Sequence, residues 1–159
     1  GAPPTPVDNG DSKFILSALH YLFELPVRAA DIPLLAALPD TEIRGKRYQR
    51  VIGSWQTLAP HGEHDQYLLF IDPDDGRIAK AEFTIRTFAG FAKGAIHYQD
   101  VRQVEGTRFP HKMTLTGTAY DDPNDGWLHV VEIKSLRFDV VALSALTPLT
   151  QSDALALAD

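Results

Sequence analysis

Two periodicities divide this chain. Phe14, Ile15, Ala18, Leu19, Leu22 and Phe23 recur at helical spacing and give one wide apolar face. Asp11 or Ser12 is placed to cap that helix at its start. Pro26 is expected to end it, because proline disfavours helical geometry in the residue before it. A short second helical turn is read over 32–38, bracketed by Pro33 and Pro39.

From Glu42 onward the period is two. A strand is read over 44–55, with Tyr48 and Ile52 on one face and Val51 and Trp55 on the other. A polar loop at 60–65 precedes the next strand, 66–71. The run Asp72-Pro73-Asp74-Asp75-Gly76 predicts a hairpin built on a type I turn with Gly76 at positive φ. In the return strand Ala79, Ala81, Phe83 and Ile85 alternate with Lys80, Glu82, Thr84 and Arg86, as in a sheet with one wet face. Strands are expected at 95–104, after which Glu105-Gly106 reverses the chain, and at 109–118. Asp121-Asp122-Pro123-Asn124-Asp125-Gly126 is the strongest turn signal, and a last long strand follows at 127–139. The sum is one helix and about six strands joined in sequential order. Such a meander makes an α+β fold, a curved antiparallel sheet with the helix on its apolar face.

Composition narrows the function more than the fold. The 159 residues suit one domain. The Pro- and Gly-rich lead 1–10 and the tail 150–159 read as disordered, with the domain over 11–149 and a helical stub at most over 142–146. A net charge of −6 without a basic run argues against nucleic acid as a partner. The absence of cysteine removes thiol nucleophiles, disulfides and Cys-based metal sites together. No stretch approaches the roughly 20 apolar residues of a membrane helix.

Candidate chemistry is sparse. His61, Glu63, His64 and Asp65 share one loop and carry metal-ligand donors. They lack the helical spacing of a metalloprotease motif and fit a solvated hairpin loop better, so no metal ligand is assigned. His97, His111 and His129 fall in separate strands, and nothing in their spacing brings them together for proton transfer. His97 and His129 lack an Asp or Ser partner on their own face. There is no Gly-x-Ser-x-Gly elbow, no Gly-rich phosphate loop opening a helix, and no calcium-loop order in the acidic turn at 72–76. No cofactor is expected. The apolar loop Phe88-Ala89-Gly90-Phe91-Ala92 is more informative, since such a loop at a sheet's rim covers a cavity mouth or presents a contact surface.

Four stretches together resemble the outer-membrane lipoprotein carrier and sorting superfamily, the LolA-like proteins. They are the helix leading into Leu25-Pro26, the run from Gly45 to Val51, the run from Tyr67 to Pro73 with Gly76, and the run from Tyr98 to Gly106 ahead of Phe109-Pro110. The resemblance implies a half-barrel whose concave face is closed by helix and receives acyl chains or lipid-modified peptides. It implies a non-enzymatic, periplasmic or cell-envelope binding protein whose partner is a lipid or a lipidated protein. The expected apolar lining is then Leu19 and Phe23 from the helix and Leu69, Ile71, Phe83 and Ile85 from the sheet, with Phe88 and Phe91 at the rim. Family members begin with a long helix and several strands that have no counterpart here, so the chain is read as truncated or as a shortened variant. That predicts an unpaired sheet edge and a homodimer through it. The alternative is a structural or protein-interaction module whose concave face is filled by its own helix.

Overall fold

A computed structural model describes residues 19–20, 22–86 and 93–138. Residues 22–28 form a helical segment, α1, which tightens into a 3-10 turn over Ala29–Asp31. Seven strands follow: β1 (Leu34–Ile43), β2 (Lys46–Ser54), β3 (Gln66–Ile71), β4 (Ile78–Thr84), β5 (Lys93–Val104), β6 (Thr107–Thr116) and β7 (Trp127–Glu132). Their order in the sheet is their order in the chain, and each neighbouring pair is antiparallel. The result is the expected α+β arrangement, an open, curved antiparallel sheet with helix packed on it.

The seventh strand is β1, where a helical turn was expected at 32–38. Pro33 ends just before this strand, and Pro39 falls at a register shift between Leu38 and Thr41. A proline is tolerated there because β1 is an edge strand and its missing N–H faces no neighbour. Arg44 (φ 52°) and Gly45 (φ 77°) then make a two-residue hairpin of the I′ type, whose twist suits antiparallel strands. The single strand expected over 44–55 is therefore a turn followed by β2. Lys46, just past that turn, reaches Asp72 at 2.6 Å and ties the β1–β2 hairpin to the β3–β4 hairpin. In the β3–β4 turn Gly76 takes the predicted positive φ, 70°, and its N–H donates to the Asp72 carbonyl, four residues back, at 2.8 Å.

Pro26 does not end the helix, which continues to residue 28. Proline has no N–H to donate to the carbonyl four residues back, at Leu22. The Tyr98 hydroxyl, from the sheet, donates to that carbonyl instead at 2.8 Å. A buried backbone acceptor is thereby satisfied across 76 residues of sequence.

Leu22, Leu25 and Ile32 pack on Tyr67, Leu69, Ile78, Ala81, Phe83, Ile96, Tyr98 and Met113, with Phe23, Val51, Ile71, Ile85 and Leu115 around them. Each large apolar side chain buried this way contributes roughly 1.5–3 kcal/mol. A register shift between Phe70 and Ile71 places Ile78, rather than the expected Ala79, in this core. Gly94 stands opposite Phe83, and a Cβ there would lie 2.8 Å from the Phe83 ring. The last strand is shorter than predicted. β7 stops at Glu132, and Ile133 donates its N–H to the His111 carbonyl at 2.8 Å. Segments 1–10, 142–146 and 150–159, with Phe88 and Phe91, lie outside the described residues.

Candidate functional site

Strand parity gives the sheet two different faces. On the helix side lie Val51, Leu69, Ala81, Ile96 and Leu115, each across from the next in the strand ladder. On the other side lie Arg50, Phe70, Lys80, His97 and Thr114. Each face carries a hollow.

The helix-side cavity encloses about 480 Å³. Pro26, Ala29 and Ala30 form its roof, and Leu35, Val51, Leu69, Ile71, Ile78, Val101 and Pro110 form its walls and floor. The roof is thin because Ala29 and Ala30, the two residues that face the cavity after Pro26, are small. Asp75, Arg77 and Arg108 stand at its polar end. Arg108 Nη2 reaches Asp75 at 2.8 Å and Arg77 Nε reaches it at 3.2 Å. Burial pulls the Asp75 carboxyl up, but the Arg108 hydrogen bond, the Arg77 N–H and both guanidinium charges outweigh it and hold the group below its usual range. The cavity is thus apolar along its walls, with one carboxylate held between two guanidinium groups at its polar end.

Of the residues expected to line a site, Leu69 and Ile71 do line this cavity. Phe83, Phe23 and Ile85 belong to the core packed beside it, and Leu19 is half-buried. Phe88 and Phe91 lie outside the described residues. Ala29, Ala30, Val101 and Pro110 escaped the sequence reading. Strict alternation from Tyr98 sends Val101 to the opposite face, but Asp100 adopts φ 49° and turns the strand, so that Val101 joins the helix side. Aspartate is among the few residues that enter that region readily, so an Asp inside a strand pattern was the available signal.

The hollow on the opposite face, also about 480 Å³, is polar. The β6–β7 connection folds over it: Arg44 pairs with Asp122 at 2.8 Å, and Lys80 with Asp121 at 2.9 Å and Glu82 at 3.0 Å. Lys80 is buried, with its ammonium 5.0 Å from the centre of the Phe70 ring. His97 is buried beside it and shares a hydrogen bond with the Thr116 hydroxyl at 3.2 Å. Burial first, then the Lys80 charge, pushes its pKa down to about 4. Arg44, Lys46, Arg77 and Lys80 each carry an ion pair here, Arg77 through Asp72 at 3.7 Å, so the hollow is lined by paired charges.

The strand histidines remain apart, as expected. His97 lies across from Thr114 and His129 across from Leu115, so the two point to opposite faces. His111 contacts the Phe109 carbonyl at 3.0 Å. In the β2–β3 loop, by contrast, the His61 and His64 rings stack at 4.6 Å.

No protein-family model matches the sequence, and no curated protein matches it at a significant level. Among solved structures, the chain is similar to the crystal structure of a domain named for outer membrane lipoprotein sorting, from Vibrio parahaemolyticus. The identity is 17% and the TM-score 0.46, over 78% of this chain and 46% of that one. The present chain thus spans less than half the length of that neighbour.

Proposed function

We propose that this chain is a non-enzymatic binding domain of the bacterial cell envelope that holds an acyl chain, a lipid or the lipid group of a lipoprotein between α1 and the sheet. The observation that carries the reading is the helix-side cavity of about 480 Å³, apolar along its length and cationic at one end. That volume falls within the range of small-molecule sites, which combine apolar walls with a few oriented polar groups. Arg77 and Arg108 supply the polar groups: the head of a fatty acid or phospholipid exchanges with Asp75 for their forked donors. The resemblance of the helix, hairpin and strand motifs to LolA-like carriers supports the same reading and the same compartment.

Native mass spectrometry of detergent-free protein, compared with the denatured spectrum, tests it. The expected result is a lipid or fatty acid released only on denaturation, or taken up from added vesicles. Ala29→Phe fills the roof of the slot and should weaken uptake by about tenfold or more, or about 1.4 kcal/mol. Failure to take up lipid, or uptake unchanged in Ala29→Phe with folding intact, overturns the proposal.

A second reading draws on the edge strand β1, where Leu34, Leu35 and Leu38 are 36%, 45% and 36% exposed. Apolar edges of this kind pair with another strand, and a second copy of this chain is the occupant that the interaction-module reading names. Light scattering across a concentration series should then show a dimer that Leu38→Lys abolishes. A monomer at all concentrations removes this reading.

A further inference from the structure

The β2–β3 loop brings three metal-ligating side chains together, and we infer that His61, Glu63 and His64 form a binding site for a divalent transition metal. One ligand atom from each lies within 4.8 Å of the others. The two imidazoles are nearly parallel, 18° apart in plane, and half-buried, while the carboxylate is exposed. Ligands sharing one tetrahedral zinc at roughly 2.0–2.2 Å stand about 3.3 Å from each other. The observed spread is wider than that, and the stacked rings must rotate for their in-plane lone pairs to converge on one ion.

The loop is held at both ends without using these ligands. Gln66 Nε2 donates to the carbonyls of Thr57 and Ala59 at 2.9 and 2.8 Å. Ser54 Oγ donates to the Asp65 carbonyl at 3.1 Å. The Asp65 carboxylate is committed to the Arg86 N–H at 2.7 Å and the Thr84 hydroxyl at 3.3 Å, which leaves Glu63 as the loop's acidic ligand. The Glu63 N–H donates to His61 Nδ1 at 3.0 Å and fixes that ring with Nε2 free of the loop. Coordination through Nε2 moves the ring proton to Nδ1, where it would meet the Glu63 N–H donor to donor, so the ring turns away from that N–H as the metal–nitrogen bond forms.

The donor set decides the metal class. Two imidazoles and one carboxylate suit zinc, copper or nickel, whereas magnesium and calcium require oxygen donors. With three protein ligands on an open loop, the fourth position faces solvent and is available to water or to a donor from another molecule. Sequence reading set this loop down as solvated because His61, Glu63 and His64 have no helical spacing. Loop closure, rather than a helix, supplies the convergence.

The test is titration of tag-free protein with zinc chloride by calorimetry, and with cobalt(II) by visible absorption. The expected result is one zinc per chain in the micromolar range, with a cobalt spectrum of low coordination number. The double variant His61→Ala/His64→Ala should lose roughly tenfold or more in affinity, since changes even in the groups that orient metal ligands cost that much. His129→Ala, at an exposed histidine outside the loop, should bind as the parent does, and magnesium chloride should give no binding. Absence of zinc uptake, equal uptake by the double variant, or one ion shared between two chains each overturns the inference. Circular dichroism of the variants distinguishes lost ligands from lost fold.

Discussion

Tyr98 and Pro26 depend on each other across the sheet–helix interface. The Tyr98→Phe substitution leaves the Leu22 carbonyl buried without its donor and should cost about 1–3 kcal/mol in urea unfolding, the ordinary cost of an unsatisfied buried acceptor. His97 makes a different demand. Folded, it stays neutral down to about pH 4, but the unfolded chain takes up that proton near the ordinary 6.5. The unfolded state therefore binds more protons between those values, and stability falls as the pH drops from about 6.5 to about 4. At 1.36 kcal/mol per pKa unit the loss approaches about 3 kcal/mol. Equilibrium unfolding at pH 7 and pH 5 should show the decline, and His97→Gln should flatten it. Asp72, whose carboxyl is held below its usual range chiefly by Lys46, contributes its own loss only below about pH 3.8, so the two effects occupy separate windows.

At the scale of elements, β4 and the β6–β7 connection are coupled through Lys80. This side chain faces His97 across the strand pair, and Asp121 and Asp122 of the connection face the same ring. Lys80→Met keeps the apolar contact with Phe70 and removes the ammonium. The His97 pKa should then rise part of the way toward its ordinary value, measurable by NMR titration, because burial remains the larger cause of its depression. An unchanged or lower value refutes the coupling. Packing of β4 on β5 is equally specific. Gly94→Ala drives a methyl against the Phe83 ring and should destabilise by about 1–3 kcal/mol, as overpacking does. Neither constraint is visible in the alternation of β4, which distinguishes inward from outward positions but not how close the facing strand approaches.

For the molecule as a whole, the sheet keeps two environments apart: an apolar slot beneath α1 and an ion-paired hollow beneath the β6–β7 connection. Among the described residues no helix is long and apolar enough to cross a membrane. Trp127, Leu128 and Val130 of β7 are 59%, 64% and 44% exposed, which leaves both edges of the sheet apolar. Combining Leu38→Lys with Leu128→Lys should lower aggregation on heating while leaving lipid uptake intact, because neither residue lines the slot. A loss of uptake in that variant would tie binding to the edges rather than to the cavity.

The sequence by itself determined what local chemistry can encode. The helical spacing before Pro26, the Asp72–Gly76 turn and the period-two runs placed the helix, the central hairpins and the antiparallel meander, because side-chain periodicity and turn residues act within a few positions of one another. Leu69 and Ile71, named as lining on the strength of the resemblance, face the helix-side cavity. Only the tertiary structure decided the rest. Pro26 stays inside a helix because a tyrosine 72 residues later meets the carbonyl it orphans. Leu34–Ile43 is a strand because β2 offers it a partner, against its own proline brackets. The bulge at Ala79 and the turn of Asp100 choose which face Ile78 and Val101 occupy, and the β2–β3 loop closes His61 onto His64. Each depends on contacts distant in sequence, where local preference is weak and packing outweighs it.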